Sequence, residues 1–122
     1  MRKAHLKLLP LFVLLLAVGC EEEDPANVQR VTLMEFYSDS CPPCQRQKPI
    51  IHRIEGEYSN LRVRTVDTVF EPRLVKKYQV SKIPTILIFA DGKSKKRLVG
   101  FQSYSRLTRS LEKIGARRRG TY

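Results

Sequence analysis

The chain has 122 residues, three cysteines, no tryptophan and a formal net charge of +11. That length allows a single domain. The positive charge gathers toward the C-terminus, where ten Lys and Arg residues from Lys93 to Arg119 face only Glu112; no recognition motif accompanies it, so nucleic-acid binding is not expected, and a solvated face, an anionic lipid surface or an acidic partner each fit.

Arg2, Lys3 and Lys7 precede an apolar run from Leu8 to Val18, broken only by Pro10. The run is far shorter than the roughly 20 residues that cross a bilayer, which favours a signal-peptide core over a transmembrane helix. It ends in Ala17-Val18-Gly19-Cys20, which resembles a bacterial lipobox, with Ala17 where leucine is more usual. The resemblance implies a lipid on Cys20 and a mature chain that starts there. An ordinary signal peptide with a free Cys20 and an uncleaved signal anchor are the alternatives, and all three place the domain outside the cytoplasm. On this reading residues 1–20 are a signal peptide, 21–27 an acidic tether opening with Glu21-Glu22-Glu23-Asp24, 28–116 the folded domain and 117–122 a basic tail.

Val31 to Tyr37 is apolar with little alternation, the pattern of a strand covered on both faces. Glu35 interrupts it. A carboxylate there either ends a poorly buried strand or serves proton chemistry, and its place six residues before Cys41 favours the second. Ser40-Cys41-Pro42-Pro43-Cys44 then opens a helix predicted to reach about Tyr58, with Ile50, Ile54 and Tyr58 on one face and a kink at Pro49. A C-x-x-C serves zinc ribbons, iron–sulfur sites and thiol–disulfide exchange alike. At a helix N-terminus, unpaired N–H groups and the positive end of the dipole stabilise a thiolate at Cys41, and proline suits the first turn.

Leu61 to Val66 predicts a second strand, with Leu61, Val63 and Val66 set against Arg62 and Arg64. Glu71 to Tyr78 predicts a short helix with Pro72 at its first position. Pro84 stands at the mouth of the most apolar strand, which runs to Phe89. Asp91-Gly92 marks a hairpin turn, and Lys96 to Phe101 is the expected antiparallel partner. Ser103 caps a final helix carrying Leu107, Leu111 and Ile114, with Gly115 near its end.

This order, β-α-β-(α)-β-β-α with the cysteines after the first strand, resembles the thioredoxin family from about Val31 to Ile114. Glu35-Phe36-Tyr37 with Cys41-Pro42-Pro43-Cys44 is similar to the family's acid-aromatic-aromatic and W-C-x-P-C region. Pro49 matches the kink proline and Ile83-Pro84-Thr85 the cis-proline motif, while Gly92 and Gly100 match the hairpin glycine and the glycine facing the active site. The resemblance implies an α/β fold with a central mixed sheet of four to five strands flanked by helices. It implies that Cys41 attacks, Cys44 resolves and a buried Glu35 exchanges a proton with the second cysteine. It also implies a cis Ile83–Pro84 peptide and a substrate strand lying against Ile83, Pro84 and Gly100.

Three departures follow from the same comparison. Ser40 stands where the family usually has tryptophan, which makes the substrate groove more polar. Val63 is expected where many thioredoxins place a lysine near the buried acid, leaving Glu35 without a cation and with its pKa raised by burial. The mature chain expected from Cys20 has too few residues before Glu35 for the family's additional strand and helix, so the sheet is expected to begin near Val28.

The expected protein is a lipid-anchored thiol–disulfide oxidoreductase of the bacterial cell envelope. It is expected to be a monomer that needs no cofactor and no metal, reducing protein disulfides with electrons from a membrane donor. Two alternatives stay open. One is a thiol oxidase of the same fold. The other is a non-enzymatic carrier binding zinc or Cu(I) through Cys41 and Cys44, with His52 as the remaining imidazole.

Overall fold

The computed structural model describes residues 30–120. The expected signal peptide, Cys20, the acidic tether and Val28 lie outside them. From Arg30 the chain forms β1 (Val31–Tyr37), α1 (Pro42–Glu57), β2 (Leu61–Asp67), α2 (Pro72–Lys77), β3 (Thr85–Ala90), β4 (Lys93–Val99) and α3 (Tyr104–Ile114). Among the described residues the sheet has four strands in the order β2-β1-β3-β4. β1 and β2 are parallel, and the pairs β1–β3 and β3–β4 are antiparallel.

β1 is an inner strand covered on both sides. Val31 and Leu33 join Ile51 and Ile54 of α1 and Leu107 and Leu111 of α3 in one core, whereas Met34 and Phe36 join Val66 and Leu87 in a second. This two-sided burial is why the strand shows so little alternation in sequence. Because successive side chains point to opposite faces, Glu35 follows Leu33 to the side that α1 and α3 cover. β2 divides its apolar residues differently from the expected grouping. Leu61 and Val63 pack on the first core and Val66 on the second, on the other face.

β4 begins at Lys93 and ends at Val99, three residues earlier at its start and two at its end than the expected strand from Lys96 to Phe101. The turn explains the early start: Asp91 and Gly92 have φ of +50° and +77°, the pair of left-handed residues that a two-residue hairpin requires, so Ala90 pairs directly with Lys93. A register irregularity beside Ile88 and Phe89 then accommodates one extra residue of β4. Lys93 and Lys95 look like loop residues in sequence, yet exposed cations, Lys96 and Arg97 included, suit an edge strand, where they discourage pairing with other chains.

Residues 117–119, expected as the start of a basic tail, fold back against the end of α1. Tyr58 and Arg118 form an isolated antiparallel bridge, the Ser59 N–H donates to the Arg117 carbonyl at 2.9 Å, and the Arg119 N–H donates to the Glu57 carbonyl at 2.8 Å. The Arg118 guanidinium donates to Glu112 at 2.7 Å and to Glu57 at 3.2 Å while its carbon lies 5.2 Å from the centre of the Tyr58 ring. Tyr58 itself is fully buried and donates its hydroxyl proton to Glu112 at 2.8 Å. Tyr58→Phe keeps the ring and deletes this bond to a carboxylate. It is expected to lower stability by about 1–2 kcal/mol in urea unfolding while leaving the cysteine chemistry intact.

Candidate active site

The site is assembled where β1 hands the chain to α1. After Tyr37 the chain turns, with the Cys41 N–H donating to the Ser38 carbonyl at 3.3 Å, and Cys41 becomes the N-cap residue of the helix. An N-cap side chain accepts from the amides of the second or third helical residue. Here Pro42 and Pro43 fill the first two helical positions and have no N–H, so the Cys44 amide is the one that reaches the Cys41 sulfur, at 3.3 Å. The two cysteines form a disulfide with Cα atoms 5.2 Å apart. Cys41 is 9% exposed and Cys44 2%, so the first sulfur is the one an outside partner can approach.

The second wall comes from the start of β3. The Ile83–Pro84 peptide is cis, and the Ile83 carbonyl oxygen lies 3.9 Å from the Cys41 sulfur. The Gly100 N–H donates to the Pro84 carbonyl at 2.8 Å, which ties the end of β4 to the cis-proline segment. Gly100 has φ of +83°, and a Cβ added there would meet nothing within 4 Å, so it is the backbone conformation and not crowding that calls for glycine. Beyond Ile83 a cavity of about 230 Å³ is lined by Thr68, Val75, Val80, Ser81 and Lys82. A larger cavity of about 760 Å³ lies between Ser59 and residues 116–120 and shares no lining residue with the cysteine site.

Glu35 is 2% exposed, and among the described residues its Oε1 has no hydrogen-bond partner. Burial pushes its pKa up to about 7, against the opposing pull of the Lys48 ammonium. One expectation is corrected here. The acid is not without a cation, since Lys48 acts on it from α1 while lying 3.8 Å from Asp39 and 5.5 Å from the Tyr37 ring centre. Across β1–β2 Glu35 pairs with Thr65, and Val63 with Leu33 on the same face. In the sequence Lys48 is four residues after Cys44, a full helical turn further along the same side of α1.

The thioredoxin family model matches residues 22–113. The chain belongs to the thioredoxin family. It is 31% identical to thioredoxin of Chlamydia trachomatis over 83 residues, covering 68% of this chain and 81% of that protein. It is 32% identical to thioredoxin of Staphylococcus saprophyticus over 89 residues, 71% of this chain and 86% of that one. A variant thioredoxin from Halobacterium salinarum superposes with a TM-score of 0.68 at 29% identity, covering 74% of this chain and 81% of that one. This member of the family is therefore a thiol–disulfide oxidoreductase whose redox pair is Cys41 and Cys44.

His52 lies exposed on α1, and the described residues hold no group of three or more His, Cys, Asp or Glu side chains placed to bind a metal ion. Two residues that the sequence did not single out border the thioredoxin site. Gln47 and Gln102 are buried and hydrogen-bonded to one another across 55 positions of sequence. A glutamine one turn after the second cysteine, on the face that should be apolar, was the available signal for the first.

The raised pKa of Glu35 fixes a sign for stability against pH. Below about pH 4.5 folded and unfolded chains both hold the proton; between about 4.5 and 7 the unfolded chain releases it and the folded one keeps it, so stability falls across that window and is level above it. The size follows from roughly 1.4 kcal/mol per pKa unit, or about 3 kcal/mol in all. Glu35→Gln is accordingly expected to match the parent in urea unfolding at about pH 4 and to exceed it by roughly 3 kcal/mol at about pH 8.

Proposed function

We propose that this thioredoxin is a reductant of protein disulfides in the bacterial cell envelope, held to a membrane by a lipid on Cys20 and recharged by a membrane electron donor. The observation that carries the direction is the single amide at the Cys41 sulfur. An N-cap anion ordinarily accepts from the second and third helical N–H groups, and here Pro43 withholds one of them, leaving Cys44. A thiolate with fewer donors makes the dithiol form less stable relative to the disulfide, and so makes the pair a stronger electron donor. Isoleucine before the cis-proline supports the same sense, being similar to the reducing members of the family. The location rests on Arg2, Lys3, Lys7, the apolar run to Val18 and the lipobox-like Ala17-Val18-Gly19-Cys20.

The reaction runs in two exchanges. The Cys41 thiolate attacks one sulfur of a substrate disulfide, forming a mixed disulfide and expelling the other substrate sulfur as a thiolate. Cys44 gives its proton to Glu35, and its sulfur attacks Cys41 Sγ, which breaks the mixed disulfide and expels the second substrate thiolate. The substrate gains two electrons and, from solvent, two protons; Cys41 and Cys44 end as a disulfide. Glu35 is suited to the proton step because burial holds its pKa at about 7, close to working pH. Glu35 is therefore expected to matter most in the second exchange.

Titration of the Cys41/Cys44 couple against a dithiol buffer is expected to give a reduction potential near about −270 mV. A value near about −120 mV would make the protein an oxidant and overturn the proposed direction. Cys44→Ser is expected to accumulate a mixed disulfide with insulin through Cys41, whereas Cys41→Ser should neither trap nor reduce it. In a bacterial host, Cys20→Ala is expected to abolish both palmitate labelling and recovery of the protein in the membrane fraction; unchanged labelling would refute the anchor.

A further inference from the structure

Gln47 sits on α1 one turn beyond Cys44 and is completely buried; Gln102, between β4 and α3, is 3% exposed. The Gln47 carboxamide pairs with both backbone groups of Gln102, donating from Nε2 to its carbonyl at 3.0 Å and accepting from its N–H at Oε1, 2.7 Å. The side chain of Gln102 then turns back and donates from Nε2 to the carbonyls of Val99 at 3.2 Å and Gly100 at 3.0 Å. Gly100 in turn donates its N–H to Pro84. One continuous series of bonds thus runs from the helix that bears the cysteines to the cis-proline segment beside Cys41.

Packing alone does not account for two amides here. Leu107, Leu111, Ile51 and Ile54 show what this core ordinarily uses. Among the described residues the Gln102 Oε1 is buried without a partner, an arrangement that costs about 1–3 kcal/mol. Turning the amide over would not relieve it, because the oxygen would then face the carbonyl oxygens of Val99 and Gly100. The orphaned oxygen is the consequence of holding both carbonyls at once. Between the held residues stands Phe101, 42% exposed, with the Arg46 guanidinium 5.3 Å from its ring centre. Arg46 and Gln47 are neighbours on α1, so the helix grips this segment from inside through Gln47 and touches it outside through Arg46.

We propose that Gln47 and Gln102 are positioning residues that fix the Val99–Phe101 segment as the wall of the groove receiving the substrate chain, with Phe101 and Arg46 as its outward surface. This rests on the reading of Cys41 as the residue that attacks protein disulfides. The clamp serves recognition of a polypeptide and leaves the sulfur chemistry alone. A protein disulfide must lay its flanking residues along this wall; a small aromatic disulfide meets only the sulfur.

The test uses full-length Gln47→Met and Gln102→Met, which keep side-chain length and remove the hydrogen bonds. Insulin and 5,5′-dithiobis(2-nitrobenzoate) serve as disulfides. Each variant is expected to raise KM for insulin about tenfold, the equivalent of one or two net hydrogen bonds, with kcat for insulin, the rate with the small disulfide and the reduction potential unchanged. An unchanged insulin KM overturns the proposal, and so does an equal loss with both disulfides or a moved potential, which would place the effect on the cysteines. Should the variants not fold, amide hydrogen exchange in the unaltered protein decides: Gln102 lies outside every helix and strand, so its amide is expected to be protected only by Gln47, and fast exchange there overturns the clamp. Failure of the unaltered protein to reduce insulin would refute the reductant reading instead, and the exchange measurement, which needs no substrate, would still judge the clamp.

Discussion

The two-sided burial of β1 is the constraint from which the site follows. A strand held between β2 and β3, with cores above and below, has no freedom to slip by a residue, since every side chain would move to the wrong face. The place where β1 stops is therefore fixed, and with it the turn that sets Cys41 on the first turn of α1. The same register sends Glu35 to the face covered by α1 and α3, where water cannot solvate its charge. One strand thus sets the place of both Cys41 and Glu35.

Two electrostatic effects then act in the same sense on the cysteine pair. The prolines remove donors from the sulfur at the helix terminus, and the buried acid offers no stabilisation to a neighbouring anion. Lys48 tempers the second effect from the rim, where solvent screens it. The site is consequently less hospitable to a thiolate than a helix N-terminus without prolines would be.

How much of this the sequence displays depends on the range of the interaction concerned. β1, the helix after the cysteines, the cis-proline motif and the cap at Ser103 are announced by neighbours within a few residues, and their chemistry is local. The start of β4 is hidden because its residues are lysines, which signal solvent and not strand; an edge position satisfies both. The pairing of Glu35 with Thr65 is hidden because one strand read alone does not state its register against another. Gln102 is invisible for a different reason, being an ordinary polar residue until the fold brings it to Gln47, whose own signal is only its place on a face that should be apolar. Residues 117–119 carry a pattern that fits a solvated tail equally well, and partners such as Glu57, Tyr58, Ser59, Asn60 and Glu112, brought near by the fold, give it a place.

That last contact has a bearing on how the protein is made. The end of α1 and the turn after it take their partners from the far side of the sequence: Tyr58 from Arg118, and Asn60 from both Gly115 and Arg117. During synthesis these particular contacts form only once residues 115–119 have been added. A chain made N-terminus first can close this corner of the fold only when the final turn of α3 and the segment beyond it arrive.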